Sequence, residues 1–294
     1  MAVTILDGGM GRELARMGAP FRQPEWSALA LLEGPEWVSR AHRAFIEAGA
    51  DVITTNAYAV VPFHLGEERF AARGRELAGL AARLARHESY EAGREVRVAG
   101  SLPPLFGSYR PDLFEPERAP AVLAELVAGQ SAYVDLWLAE TQSSIAEASA
   151  SASAVAADPR PLWISFTLDD DPDVAPRLRS GEPVADAAHA AVRLGAAALL
   201  FNCSQPERMT AALDAAAEAE PDLVRGAYAN AFPIIPADHE ANDALFDIRT
   251  DLDPDGYCRF ATTWVEHGAR IVGGCCGVGP EQIAAVAARV RREA

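Results

Sequence analysis

Eight short apolar runs recur along the chain, and each is followed by a segment with helical character. The runs are Thr4–Leu6, Asp51–Thr55, Val96–Gly100, Val134–Ala139, Leu162–Thr167, Ala197–Asn202, Leu223–Ala229 and Arg270–Gly273. They are rich in Val, Ile, Leu and aromatic residues and end in Gly, Asn, Ser, Pro or Asp, as strands do. Because they are apolar almost throughout, both faces must be covered, which suits parallel strands flanked by helices. Alanine-rich amphipathic segments lie between them: Pro35–Ala48, Glu67–His87, Glu117–Gln130, Ser143–Ala156, Val184–Leu194, Pro206–Glu218, Asp255–His267 and Pro280–Arg292. In the first, Trp37, Val38, Ala41, Phe45 and Ile46 recur at helical spacing. Several open with Pro, whose missing N–H costs nothing in a first turn. Gly49, Gly195 and Gly268 stand where a helix stops before the next strand.

Regular alternation implies right-handed crossovers and a parallel sheet. Each of the eight units has about 37 residues, near the usual size of a strand–helix–strand unit. Eight units close naturally into an α/β fold of the (β/α)8 TIM-barrel type, a single domain over residues 1–294. An open doubly wound sheet is the rival. No linker, low-complexity tract or composition shift divides the chain.

Charge narrows the partners. With 26 basic and 42 acidic residues the net charge is −16, which repels phosphate backbones and anionic lipid. Small-molecule substrates are therefore expected, with no nucleic acid and no membrane, in a monomer or small homo-oligomer. No stretch reaches the ~18 apolar residues of a membrane span. Met1–Leu6 runs straight into the first strand, so no leader peptide is expected. Four cysteines are too few for a disulfide scaffold, and a reduced, cytoplasmic chain is the simplest expectation. The acidic run Asp169–Asp173 reads as a solvated loop.

In a barrel the active site lies at the C-terminal strand ends. There the sequence places Asp7-Gly8-Gly9, Thr54-Thr55-Asn56, Ser101, Glu140-Thr141, Asn202-Cys203-Ser204, Asn230 and Gly274-Cys275-Cys276-Gly277. Cys203 and the Cys275–Cys276 pair end the sixth and eighth strands, which only one strand separates. Three converging thiolates would make a Zn2+ site with an open fourth position. Buried packing cysteines, or a vicinal disulfide, are the alternatives. Cys258 lies inside a helical segment and reads as packing. A sulfur-rich zinc site suits binding and deprotonating a substrate thiol more than polarising water. The Gly9-Met10-Gly11-Arg12-Glu13-Leu14 stretch lacks the third glycine of a dinucleotide fingerprint, and Gly277-Val278-Gly279 is no P-loop. The six histidines show no ligand spacing and read as surface or hydrogen-bonded residues.

Several of these segments resemble homocysteine S-methyltransferases. They are Asp7–Leu14, Asp51–Tyr58, Gly100–Pro104, Asp135–Thr141, Asn202–Pro206 and Gly273–Gly277, in order and over nearly the whole chain. The resemblance implies a (β/α)8 barrel with Zn2+ on Cys203, Cys275 and Cys276. Homocysteine would bind the metal through sulfur, with its ammonium near Glu140 and Asp7. Its carboxylate would lie near the backbone of Gly8 and Gly9 or the Thr54–Thr55 turn, with Asn56 and Ser101 also in the substrate site. Asn230 matches a position that fills the fourth zinc site in some relatives. Methyl transfer to the thiol then gives methionine. A sulfonium donor, S-methylmethionine or S-adenosylmethionine, best fits a compact barrel without cobalamin domains or the extra segment of betaine-using relatives.

The chain departs from the family pattern in places. Arg12 stands where Thr is usual, and Tyr228-Ala229-Asn230-Ala231-Phe232 replaces Tyr-Pro-Asn-Ser/Ala-Gly. Gln142-Ser143 lacks the usual Pro, and Phe63-His64-Leu65 falls where many relatives are polar. The cysteines are untouched, so these departures bear on the donor and the acceptor. The alternative is the same zinc–thiolate chemistry with another donor, such as a betaine, or another thiol or selenol. A non-catalytic zinc protein and a dinucleotide oxidoreductase are the readings from other classes.

Overall fold

The computed structural model describes residues 3–234 and 247–293. Its first half runs β1 (Thr4–Ile5), α1 (Met10–Met17), α2 (Ala28–Glu33), α3 (Pro35–Glu47), β2 (Val52–Thr54), α4 (Pro62–Leu65), α5 (Glu67–Glu91), β3 (Arg97–Leu102), α6 (Ala119–Gln130) and β4 (Leu136–Gln142). The second half runs α7 (Ile145–Ala154), β5 (Leu162–Phe166), α8 (Val184–Arg193), β6 (Ala198–Asn202), α9 (Pro206–Ala219), β7 (Arg225–Tyr228), α10 (Pro254–Glu266), β8 (Ile271–Val272) and α11 (Pro280–Glu293).

All eight expected strands form, and they join one parallel sheet in the order β1-β8-β7-β6-β5-β4-β3-β2. A parallel bridge between Leu6 and Val52 joins the two ends. The Asp51 amide donates to the Ile5 carbonyl at 2.7 Å, and the Asp7 amide to the Val52 carbonyl at 3.0 Å. Closure rules out the open doubly wound sheet and leaves a (β/α)8 barrel. Helices α1, α2 and α4 lie outside the eight expected helical segments. They are short pieces of four to eight residues in the loops of the first two units. Among the described residues no helix is long and apolar enough to cross a membrane.

Strand periodicity divides the core in two. On β4, Leu136 and Leu138 face the interior, while Trp137 and Ala139 pack toward the helices. On β6, Ala198 and Leu200 face in, and Leu199 and Phe201 face out. Leu6, Val52, Ala99, Trp163 and Ile271 complete the interior plug, with Tyr228, Cys203 and Cys275 in the same cluster. This continuous apolar filling explains why the strands do not alternate in polarity. Shortening Leu138 or Leu200 to Ala would leave a cavity costing about 2–5 kcal/mol.

Two sequence expectations are corrected. Asp170 of the acidic run is not solvated. It is buried with Arg179, their charged atoms 2.7 Å apart, and its Oδ1 accepts the Gln205 amide at 2.8 Å. His42 on α3 is fully buried, and neither ring nitrogen has a partner. Burial alone pushes its pKa down to about 3, so it stays neutral. Cys258 does pack in a helix, half-buried on α10 with its thiol 3.6 Å from the Ala285 carbonyl.

Candidate active site

One pocket sits at the C-terminal mouth of the barrel. It brings together Asp7, Gly8, Gly9, Thr54, Thr55, Asn56, Glu140, Cys203, Cys275 and Cys276 from the expected set. Ser101 and Asn230 are fully buried and do not line it.

Glu140 follows Leu136 and Leu138 in the inward phase of β4. A bulge between Ala139 and Gln142 then breaks the register with β5, and Thr141 adopts φ +56°. That residue is strained for a β-branched side chain, and Asn202 holds it. The Thr141 amide donates to Asn202 Oδ1 at 3.0 Å, and Asn202 Nδ2 donates to Thr141 Oγ1 at 2.8 Å. Ser165 Oγ donates to the same Oδ1 at 2.7 Å. Glu140 itself accepts from Ser101 Oγ at 2.5 Å, which is the role of that buried serine. Across the pocket Asp7 accepts from the Thr54 amide at 2.7 Å and from Thr54 Oγ1 at 3.2 Å. Burial pushes Glu140 up to about 7 despite the serine. Burial, reinforced by the nearby Glu140 charge, pushes Asp7 up to about 8 despite Thr54. Two desolvated carboxyl groups of this kind are stabilised in their charged forms by a bound cation.

The sulfur side is shaped by the main chain. On β6 the inward phase falls on Asn202, so a regular strand would turn Cys203 toward the helices. A left-handed φ of +47° instead brings it into the barrel. The Cys275 amide donates to the Ala229 carbonyl at 2.9 Å, and the Ala231 amide to the Cys276 carbonyl at 2.8 Å. Gly274 is required here, because a Cβ would lie 2.2 Å from Val278 Cγ1.

The three sulfurs lie within 4.8 Å of one another. Cys203 and Cys275 form a disulfide, S–S 2.14 Å, and Cys276 is free with its sulfur 3.8 Å from that of Cys203. The pairing therefore crosses from β6 to β8 and is not the vicinal bond considered from the sequence. A disulfide and a three-thiolate metal site would compete for the same sulfurs, so only the reduced form could offer all three to a metal. In that form the donor set is all sulfur, which fits a borderline-soft ion such as zinc with a position left open. Burial and the Glu140 charge push the Cys276 thiol up to about 11 without metal, against the opposing charge of Arg12.

The other expected residues have local jobs. Thr55 Oγ1 donates to Gln130 Oε1 at 2.6 Å and accepts the Ser101 amide at 3.1 Å. Asn56 Nδ2 donates to the Ser27 carbonyl at 3.0 Å, while its buried Oδ1 has no partner. Asn230 Oδ1 accepts the Phe232 amide at 3.1 Å, turning it away from the pocket. Sequence reasoning marked the Tyr228–Phe232 segment as a departure but did not foresee that Tyr228 and Phe232 join Trp26, Tyr58 and Tyr109 in an aromatic wall. The available signal was position: Tyr58 lies two residues after Asn56, and Tyr228 two before Asn230.

The family departures separate by place. Gln142 is buried, its amide donating to the Leu102 and Glu140 carbonyls at 3.1 and 2.9 Å, so it braces the bulge and does not reach the pocket. His64 lines the pocket and contacts the Pro24 carbonyl through Nδ1 at 3.0 Å. Arg12 and Phe232 also line it, the guanidinium 5.3 Å from the ring centre.

With this geometry established, known proteins can be compared. A family model described as homocysteine S-methyltransferase matches residues 4–290. A homocysteine S-methyltransferase of Escherichia coli K12 is 32% identical, over 98% of this chain and 95% of its own. A selenocysteine methyltransferase of Astragalus bisulcatus is 24% identical, over 95% and 90%. The homocysteine methyltransferase MmuM from E. coli, in its metallated form, superposes with a TM-score of 0.80 at 30% identity, covering 98% of this chain and 96% of its own. Its oxidized form gives 0.78 at 29%, with the same coverage.

Proposed function

The chain belongs to the homocysteine S-methyltransferase family, and from that premise we propose that it transfers a methyl group from a sulfonium donor to homocysteine at a zinc ion held by Cys203, Cys275 and Cys276. The observation that carries this reading is the gathering of three sulfurs within 4.8 Å in the pocket that also holds Glu140 and Asp7. Bound zinc would supply a Lewis acid that keeps the substrate thiol deprotonated at neutral pH while leaving it nucleophilic.

The chain's own residues do the rest. Glu140 and Asp7 take the homocysteine ammonium, which offsets the cost of burying their charges. The Gly9, Thr54 and Thr55 amides already donate to Val278, Asp7 and Ala99. That leaves Gly8 and the first turn of α1 to receive the substrate carboxylate. The aromatic wall suits a sulfonium cation. In the transfer, a bond forms between the homocysteine sulfur and the methyl carbon as the methyl–sulfonium bond breaks. The electron pair of the broken bond stays on the donor sulfur, which leaves as a neutral thioether. The thiol proton passes to solvent on binding. Alignment of two sulfurs about one carbon supplies much of the rate. A reducing, cytoplasmic compartment fits this reading, since Cys203 and Cys275 must both be thiolates.

The test is direct. Reduced, zinc-loaded protein is incubated with homocysteine and, in turn, S-methylmethionine, S-adenosylmethionine and betaine, and methionine is assayed. Methionine from a sulfonium donor and none from betaine is the expected result. No methionine from either sulfonium would overturn the reading.

A further inference from the structure

Among the described residues, two buried side-chain oxygens of the barrel-mouth pocket have no hydrogen-bond partner, Asn56 Oδ1 and the Tyr228 hydroxyl. Asn56 lies beyond the end of β2, its amide tied to the Ser27 carbonyl. Tyr228 lies deeper. It is the last residue of β7, paired with Asn202 at the end of β6, and only 4% exposed. Its side chain belongs to the interior cluster with Leu138, Leu200, Cys203 and Cys275. In the closed ring of eight strands β7 stands opposite β3, whose Ser101 holds Glu140. A phenol pointing inward from β7 therefore crosses the floor of the pocket toward the acidic side. A buried hydroxyl left unpaired is costly, and one that lines a pocket points to a ligand atom.

The neighbours say which polarity that atom has. Ser165, in the inward phase of β5 with Trp163, lies within electrostatic reach of the hydroxyl, as do Glu140 and Asp7. The single Ser165 proton is already given to Asn202 Oδ1, so Ser165 can only accept. The Tyr228 proton has an outlet there, and its oxygen lone pairs are left for the pocket. The ligand brings the matching need. An α-ammonium has three N–H donors, and in a buried site each requires an acceptor. Glu140 and Asp7 supply two carboxylates, each already accepting from the protein, through Ser101 and Thr54. A third carboxylate would add another charge that burial penalises. A phenol oxygen accepts without adding one.

Resting on the homocysteine reading above, we propose that the Tyr228 hydroxyl is the third acceptor of the substrate ammonium and, with Glu140 and Asp7, selects thiols that carry an α-amino group over thiols that do not.

Calorimetry on reduced, zinc-loaded protein tests this without turnover. The ligands are homocysteine, 4-mercaptobutyrate, which keeps the chain, thiol and carboxylate but lacks the ammonium, and homoserine, which keeps the ammonium but lacks the thiol. Tyr228→Phe removes one oxygen and keeps the ring. It should weaken homocysteine and homoserine about ten- to a hundredfold and leave 4-mercaptobutyrate unchanged. Circular dichroism and zinc content confirm that the variant is folded and loaded. Homocysteine affinity unchanged in Tyr228→Phe overturns the proposal. So does an equal loss for 4-mercaptobutyrate, which would put the hydroxyl on the thiol, the carboxylate or the scaffold. Wild type that binds homocysteine no better than 4-mercaptobutyrate overturns it as well. If the ammonium-dependent loss is found but no methionine forms from any sulfonium donor, the ammonium site stands and the transfer reading fails. If methionine forms and Tyr228→Phe binds homocysteine as wild type does, the transfer reading stands and this proposal fails.

Discussion

On one side of the barrel mouth, Asp7 and Glu140 are set by side-chain partners, Thr54 and Ser101, and burial raises both pKa values. On the other side, Cys203, Cys275 and Cys276 are set by the path of the main chain. That path includes a left-handed residue, amide–carbonyl contacts between neighbouring loops, and a glycine with no room for a Cβ. Side-chain placement lets a charge be removed while the scaffold stays. Main-chain placement makes the sulfur cluster a property of three strand ends together. Asn202 joins the two sides, since it grips the Thr141 bulge next to Glu140, precedes Cys203, and lies 3.7 Å from the Cys275 sulfur.

The sharpest break in this comparison comes from the sulfur side. Changing Cys203, Cys275 or Cys276 to Ser should remove stoichiometric zinc and cut methyl transfer by more than about a hundredfold, since even residues supporting metal ligands are worth 10–100-fold. Elemental analysis of reduced protein and a methionine assay check this. Full zinc retained in the triple Ser variant would contradict it. Glu140→Gln should do the reverse, weakening homocysteine binding about ten- to a hundredfold with zinc content unchanged. Calorimetry and elemental analysis on the same sample decide it.

Asn202→Ala should weaken both sides at once. We expect roughly tenfold weaker zinc binding and a stability loss of about 1–3 kcal/mol from the orphaned Thr141 groups. A chelator competition series and a urea titration measure the two. A loss confined to one side would show that Asn202 does not link them.

The smallest effect is in pH. Carboxyl groups raised in the folded protein stabilise it most below their ordinary range, near ~4. That contribution is lost as pH rises through about 7 for Glu140 and about 8 for Asp7. Glu147, also raised to about 7 by burial, acts in the same window. The Glu140 share is therefore read as the difference between wild type and Glu140→Gln. Thermal melts without ligand should fall less steeply between about pH 4 and pH 7 in the variant. Homoserine has the ammonium but no thiol, and its binding should strengthen as pH rises through about 7 and 8, where the folded carboxyl groups ionise.

The two sides also differed in how far the sequence revealed them. Cysteines among glycines at two strand ends carry their chemistry in residue type, so Cys203, Cys275 and Cys276 could be named from spacing. Glu140 was visible as a charge ending an apolar strand. The bulge that presents it was not, because Thr141 and Asn202 meet only after the strands align. Ser101 and Asn230 belonged to the right strand ends, but hydrogen bonds to Glu140 and Phe232 turned them away from the pocket. Asp170 looked like one solvated acid among several, because its partner Arg179 lies nine residues on and pairs only through a folded loop. The eight strands were legible because burial on both faces leaves a continuous apolar signature, whereas α1, α2 and α4 are too short for periodicity to register.

The central claim is that a substrate thiol enters the metal position opened by the three cysteines while the carboxylate side holds its ammonium. Cobalt substituted for zinc in reduced protein reports this directly. Homocysteine should add a sulfur-to-metal charge-transfer band and, below the thiol pKa, release close to one proton more than homoserine does, and homoserine should add no such band. A cobalt spectrum unchanged at saturating homocysteine would contradict the account.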